Sequence, residues 1–224
     1  MERRCSPDRR SGCAPALGGA EISVVGIVPA GGSGERLGAD RPKAFVVLAG
    51  RTLLERSLAA LGPACSRVVA AVPPGYEEEP DRVTGGPSRA ASVRNALAAA
   101  PEASVAVVHD AARPLVTTSL VHRCLAALEG ADGAIAARRV TDTVHEGDEL
   151  LGRTLDRSWL WAAQTPQVFR ADLLRRALEG PDATDEAAMV MAAGGTVRAV
   201  EAPEDNIKVT TRLDLAVAEA LLAD

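Results

Sequence analysis

The chain has 224 residues, of which 47% are hydrophobic but only 2% aromatic, and its formal net charge is -5. At this length a chain buries roughly 70–75% of its unfolded surface, so it folds without disulfide or metal staples around a core of Ala, Val and Leu. The acidic balance argues against a general nucleic-acid binder, whose phosphate contacts show as a basic surplus, and no apolar run reaches the ~20 residues of a membrane-spanning helix.

Residues 1–20 carry Arg, Pro and Gly without an apolar signal core, and read as a disordered extension rather than a secretory leader. The four cysteines, Cys5, Cys13, Cys65 and Cys124, form no CxxC pair and have no His at metal spacing. They read as reduced thiols of a cytoplasmic protein, with no dedicated metal site expected. "EISVVGIVPA" (residues 21–30) is a β-branched run closed by Pro and Ala, hence a buried strand. Thr52 and Glu55 form a capping box that opens a helix to about Leu61. Further strands follow at "RVVAAVP" (67–73), "SVAVVHD" (104–110) and "GAIAARRV" (133–140), with a small-residue helix in "PSRAASVRNALAAAP". Thr117 or Thr118 caps another helix, expected to close at Gly130.

The rhythm breaks at 141–158. "TDTVHEGDELLGRTLDRS" is polar, with Gly147 and Gly152 as turn residues, and predicts a hairpin arm. Helices from about Asp172 and Thr184, the second ending at Gly194 and Gly195, precede a strand "TVRAVEA" and a last helix opened by Thr211 and Asp214. Continuous apolar strands alternating with helices predict an α/β fold with a doubly wound, mostly parallel sheet, in one domain over 21–224.

In open α/β sheets ligands sit at the carboxyl ends of strands. "VPAGGSGERLGADRPK" (28–43) lies there, rich in glycines that can turn backbone N–H groups toward an anion. It is neither a dinucleotide fingerprint, because Leu37 stands where the third Gly belongs, nor a P-loop, because Lys43 lies between Pro42 and Ala44. The flanking Arg36 and Lys43 set it apart from an ordinary turn. Lys43 and Lys208 are the only two lysines among 25 basic residues, and a compact ammonium suits a shifting phosphate. Asp110 ends an apolar strand, where a carboxylate is costly without a partner, and Arg113 is the nearest candidate in sequence. His109 reads as a satisfied turn or core residue rather than a base. Thr165, before Pro166 in "AAQTPQVF", must be extended.

"VPAGGSGERLGADRPKAF", "VHDAARPLV", "AAQTPQVF", "TDEA" and "DNIKVTT", in this order, resemble the 2-C-methyl-D-erythritol 4-phosphate cytidylyltransferases of the non-mevalonate isoprenoid pathway, over about residues 25–222. The resemblance implies a Rossmann-like nucleotidyltransferase fold with a protruding β-arm. It also implies transfer of CMP from CTP to methylerythritol phosphate with release of pyrophosphate. A ribitol 5-phosphate cytidylyltransferase is the alternative, although a dipeptide other than the "AA" between "HD" and "RP" is expected there. On this resemblance Arg36 and Lys43 stabilise the transition state. Pro29, Ala30, Gly31, Gly32, Ser33, Gly34, Gly86 and Ser92 bind CTP, and Mg²⁺ rides on its triphosphate. Asp110, Arg113, Thr165 and Lys208 hold the alcohol phosphate. Thr143 and Arg157 on the arm are implied to complete the site of a second chain, which makes a homodimer. Pro87, lacking an N–H, departs from the family pattern in the base pocket, and Gly31 stands where Ala is common.

Overall fold

The computed structural model describes residues 22–223. The expected N-terminal extension, with Cys5 and Cys13, lies outside them. In chain order the elements are β1 (Val24–Pro29), β2 (Val47–Leu48), β3 (Arg51–Thr52), α1 (Leu53–Leu61), β4 (Arg67–Val72), β5 (Arg82–Thr84), α2 (Arg89–Ala98), β6 (Val105–Val108) and α3 (Thr118–Ala126). Then come β7 (Gly133–Arg139), β8 (Val144–Gly147), β9 (Leu151–Leu155), β10 (Trp161–Arg170), α4 (Ala171–Ala177), α5 (Glu186–Ala192), β11 (Val197–Glu201) and α6 (Arg212–Ala223).

Seven strands form one sheet in the order β11-β7-β10-β6-β1-β4-β5. All neighbours pair in parallel except β10, which runs antiparallel to both β6 and β7. The apolar runs are continuous because both faces are covered. Val25 and Ile27 of β1 face a core built with α2, α4 and α5, while Val28 faces one built with α1 and α3. Few aromatics permit close approach. A Cβ on Gly133 would lie 2.5 Å from the ring of Phe169, the largest fully buried side chain.

The capping box is present as expected. Thr52 Oγ1 accepts from Glu55 N at 3.1 Å, and Thr52 N donates to Glu55 Oε2 at 2.7 Å. Three elements differ from the sequence reading. α3, capped by Thr117, stops at Ala126, and the chain turns through Gly130 at φ +70. α5 starts at Glu186 with Asp185, not Thr184, as its cap. The stretch around "AAQTPQVF", where the sequence required only an extended Thr165, is a ten-residue strand, 161–170, in the middle of the sheet. Its buried polar groups are satisfied: Gln167 donates to Asp185 Oδ2 at 2.8 Å and accepts from Ala187 N at 3.2 Å. The short β5 strand and the β2-β3 pair had no clear sequence signal. The excursion at 141–158 contains the β8-β9 hairpin, exposed along nearly its whole length. At its base Arg139 stacks over Trp161 at 3.8 Å and donates to Ser158 O at 2.7 Å.

Candidate active site

The chain leaves β1 at the carboxyl edge of the sheet and enters the Gly-rich loop. Gly34 sits at φ +81, where an added Cβ would also come within 3.1 Å of Arg41 O. The loop folds back on itself through Lys43 N to Gly32 O at 3.0 Å, which brings Lys43 beside the glycines. Together with the ends of β5 and β6 it encloses a cavity of about 440 Å³. Residues 29–34, Arg36 and Lys43 line one side. Gly86, Arg89, Ser92, Asp110 and Lys208 are among the residues that line the rest. Gly86 has no room for a side chain, because a Cβ would lie 2.4 Å from Ala91 Cβ. Ser92 Oγ accepts from Gly86 N at 3.0 Å and so anchors that wall. Arg41, outside the cavity, pairs at the surface with Asp40 at 3.2 Å.

Four cations converge, Arg36, Lys43, Arg89 and Lys208. Lys43 is lowered to about 8 by burial and by the nearby charges of Lys208 and Arg36. Asp110 balances them on the far side. Burial alone would raise its carboxyl, but Arg89 and Lys208 hold it well below the usual carboxylate range. Lys208 Nζ donates to Asp110 Oδ2 at 2.8 Å, while Arg89 Nη2 and Nε reach Asp110 Oδ1 at 2.9 and 3.1 Å.

Arg89 therefore replaces Arg113 as the partner of Asp110. Arg113 turns away into the protein: its side chain is buried and Nη1 donates to Asn206 O at 2.7 Å. The i,i+3 spacing closes a turn through Arg113 N to Asp110 O at 2.9 Å, which joins the two backbones rather than the two charges. Thr165 does not face the cavity either. Its Oγ1 accepts from Asp110 N at 3.0 Å and lies 3.1 Å from His109 Nδ1. His109 Nε2 lies 3.2 Å from Arg113 O, so a neutral ring completes the chain of hydrogen bonds, and burial pushes it down to about 4. Arg113 and Thr165 act behind Asp110 and the Lys208 segment, not on the cavity surface. Thr143 and Arg157 are exposed at the arm and do not line the cavity of their own chain; Arg157 donates to Thr141 O.

A family model described as 2-C-methyl-D-erythritol 4-phosphate cytidylyltransferase (IspD) matches residues 24–224. The chain belongs to this family. A cytidylyltransferase of that name from Rubrobacter xylanophilus is 45% identical over 223 residues, covering 89% of this chain and 95% of its own. Its counterpart from Rhodococcus jostii is 44% identical over 216 residues, covering 90% and 96%. The crystal structure of the cytidylyltransferase from Thermus thermophilus matches with a TM-score of 0.77 at 36% identity, over 92% of this chain and all of that one.

Two residues of this cytidylyltransferase-family site escaped sequence reasoning. Arg89 lies in the first turn of α2, where a cation opposes the helix dipole, and that misfit was its available signal. Glu186, in the motif "TDEA", is buried and bonds Arg89 through Oε2.

Proposed function

We propose that this chain transfers the CMP moiety of CTP to 2-C-methyl-D-erythritol 4-phosphate, giving 4-diphosphocytidyl-2-C-methyl-D-erythritol and pyrophosphate, with the cavity at the ends of β1 and β6 as its site. Cytidylyl transfer from CTP is the family's reaction, and the chain is a nucleotidyltransferase. The observation that carries the assignment of the site is the convergence of Arg36, Lys43 and Lys208 on one glycine-lined cavity.

Attack of a phosphate monoester on the α-phosphorus of CTP brings two anions together. It needs charge neutralisation and in-line alignment but no covalent nucleophile, because the attacking oxygen is already ionised. Arg36 and Lys43 are assigned to the charge that builds on the α-phosphoryl oxygens, and residues 29–34, Gly86 and Ser92 to CTP. The buried neutral His109 has no part in proton transfer. Asp110 and Lys208 are assigned to the alcohol phosphate, with Arg113 and Thr165 holding them from behind. The donor set of the loop, backbone amides and two cations, suits a triphosphate that arrives with its own Mg²⁺. That ion supplies further neutralisation when bound, and no protein ligand set is assigned to it.

Thr143 and Arg157 are assigned to the neighbouring site of a homodimer. The exposed hairpin with its apolar residues Leu150 and Leu151, and the exposed Trp159 that follows the arm, support that reading. One continuous sheet from β1 to β11 supports a single domain over 21–224, with the arm at 141–158. Among the described residues no helix is long and apolar enough to cross a membrane. We assign the protein to the cytoplasm, with no nucleic-acid or membrane partner.

The test is pyrophosphate release with CTP and Mg²⁺, comparing methylerythritol phosphate with ribitol 5-phosphate. Turnover is expected with the first. Weak turnover there beside strong turnover with ribitol 5-phosphate would reassign the substrate.

A further inference from the structure

Asp110 and Lys208 come from distant parts of the chain, and what fixes them is a line of charges reaching back to α5. Arg89 is the centre of that line. Its Nη2 and Nε serve Asp110 Oδ1 at 2.9 and 3.1 Å, and its Nη1 serves Glu186 Oε2. Asp110 in turn holds Lys208 Nζ at 2.8 Å through its other oxygen. The partners are 21, 97 and 98 residues apart in sequence, so only the folded sheet assembles them.

Glu186 is the unusual member. Its side chain is 1% exposed, against 13% for Asp110. Its Oε1 has no hydrogen-bond partner among the described residues. A buried, half-satisfied carboxylate is costly, and an apolar residue would fill the same space at the start of α5 without that cost. Nor is Glu186 needed as a helix cap, since Asp185 already caps α5 by accepting from Ala188 N at 3.0 Å. The salt bridge of Glu186 runs to Arg89, whose other carboxylate partner is Asp110, which lines the cavity.

We infer that Glu186 and Arg89 are positioning residues for the alcohol-phosphate half of the site: Glu186 orients Arg89, Arg89 fixes Asp110, and Asp110 aims Lys208. This rests on the assignment of Lys208 to that phosphate. The line holds two carboxylates and two cations. Losing the carboxylate of Glu186 frees Arg89, which itself lines the cavity, to leave its present orientation and loosens the rotamer of Asp110. The glycine loop with Arg36 and Lys43 stands on the other wall and, among the described residues, shares no hydrogen bond with this line. The effect therefore falls on one substrate and not on both.

The experiment is steady-state pyrophosphate release by purified Glu186→Gln, Lys208→Ala and the double variant. For Glu186→Gln the KM for methylerythritol phosphate rises on the order of tenfold, while the KM for CTP stays within about threefold of the parent. In the Lys208→Ala background the same substitution changes the KM for the alcohol phosphate by less than about threefold, because the line ends at Lys208. Equal losses for both substrates, an unchanged KM, or full multiplication of the two single effects would overturn the relay. A Lys208→Ala variant with an unchanged KM for the alcohol phosphate would overturn the assignment of Lys208, and the relay with it. If Glu186→Gln does not fold, Arg89→Lys reads the same cycle. It keeps the charge, but one ammonium replaces a fork that serves two carboxylates.

Discussion

Lys43 lies between the glycine loop and two other cations, and that crowding sets its chemistry. Burial, Lys208 and Arg36 together lower it to about 8, so in the free protein it loses its proton as the pH rises past that value. The expected outcome is a kcat/KM that falls above about pH 8, with the fall in kcat displaced upward because bound phosphates favour the ammonium. Paired pH–rate profiles check it, and a flat kcat/KM up to about pH 9.5 would count against Lys43. Lys43→Ala should lower kcat by a factor on the order of 10²–10³, as loss of one preorganised charge-stabilising donor does. His109 gives a prediction about stability instead. Buried and held neutral, it has a folded-state value near 4, below its ordinary 6.5. The unfolded chain takes up the proton first, so stability present above about pH 6.5 is lost as the pH falls toward 4, by up to about 3 kcal/mol. Denaturant unfolding across that range should show a smaller loss in His109→Gln than in the parent.

Among the elements, those written by neighbouring residues were legible in sequence. The capping box of α1 depends on two side chains three residues apart, and both of its hydrogen bonds are present. Thr52→Ala should cost about 1 kcal/mol, lowering Tm by roughly 2–4 °C with the kinetics unchanged. A thermal melt beside an activity assay checks both halves. β10 was not legible, for a physical reason. A central strand normally announces itself by continuous apolar residues, but this one carries Gln164, Thr165 and Gln167, whose partners are supplied by other elements. Its pairing with β7 is irregular between Ala163 and Gln167, and that irregularity falls where Thr165 meets the Asp110 amide. The hairpin at 141–158 was visible as polar residues between turn glycines, whereas the stacking of Arg139 on Trp161 at its base was not.

At the scale of the whole molecule, the acidic chain concentrates four cations at one edge of its sheet and extends an arm whose Thr143 and Arg157 do not line that cavity in their own chain. If the arm completes a neighbour's site, Lys43→Ala and Arg157→Ala chains, each weak alone, should regain activity when mixed. A randomly formed hybrid carries one site with both residues intact, so recovery of roughly a quarter of the parent rate is expected. Hybrids verified by mass that show no recovery would remove the shared-site reading.

From the residue order alone came the alternation of strands and helices, the glycine-rich loop after the first strand, the capping box of α1 and the isolation of Lys43 and Lys208. All of these depend on neighbours within a few positions, where side-chain size, φ preference and hydrogen-bonding reach act directly. The tertiary structure decided which charges meet. Arg113 is three residues from Asp110 but points to Asn206, while Arg89 and Lys208, 21 and 98 residues away, hold the carboxylate. Strand order brings those side chains to the same edge, and the sum of packing across the whole sheet sets that order, which no local spacing records.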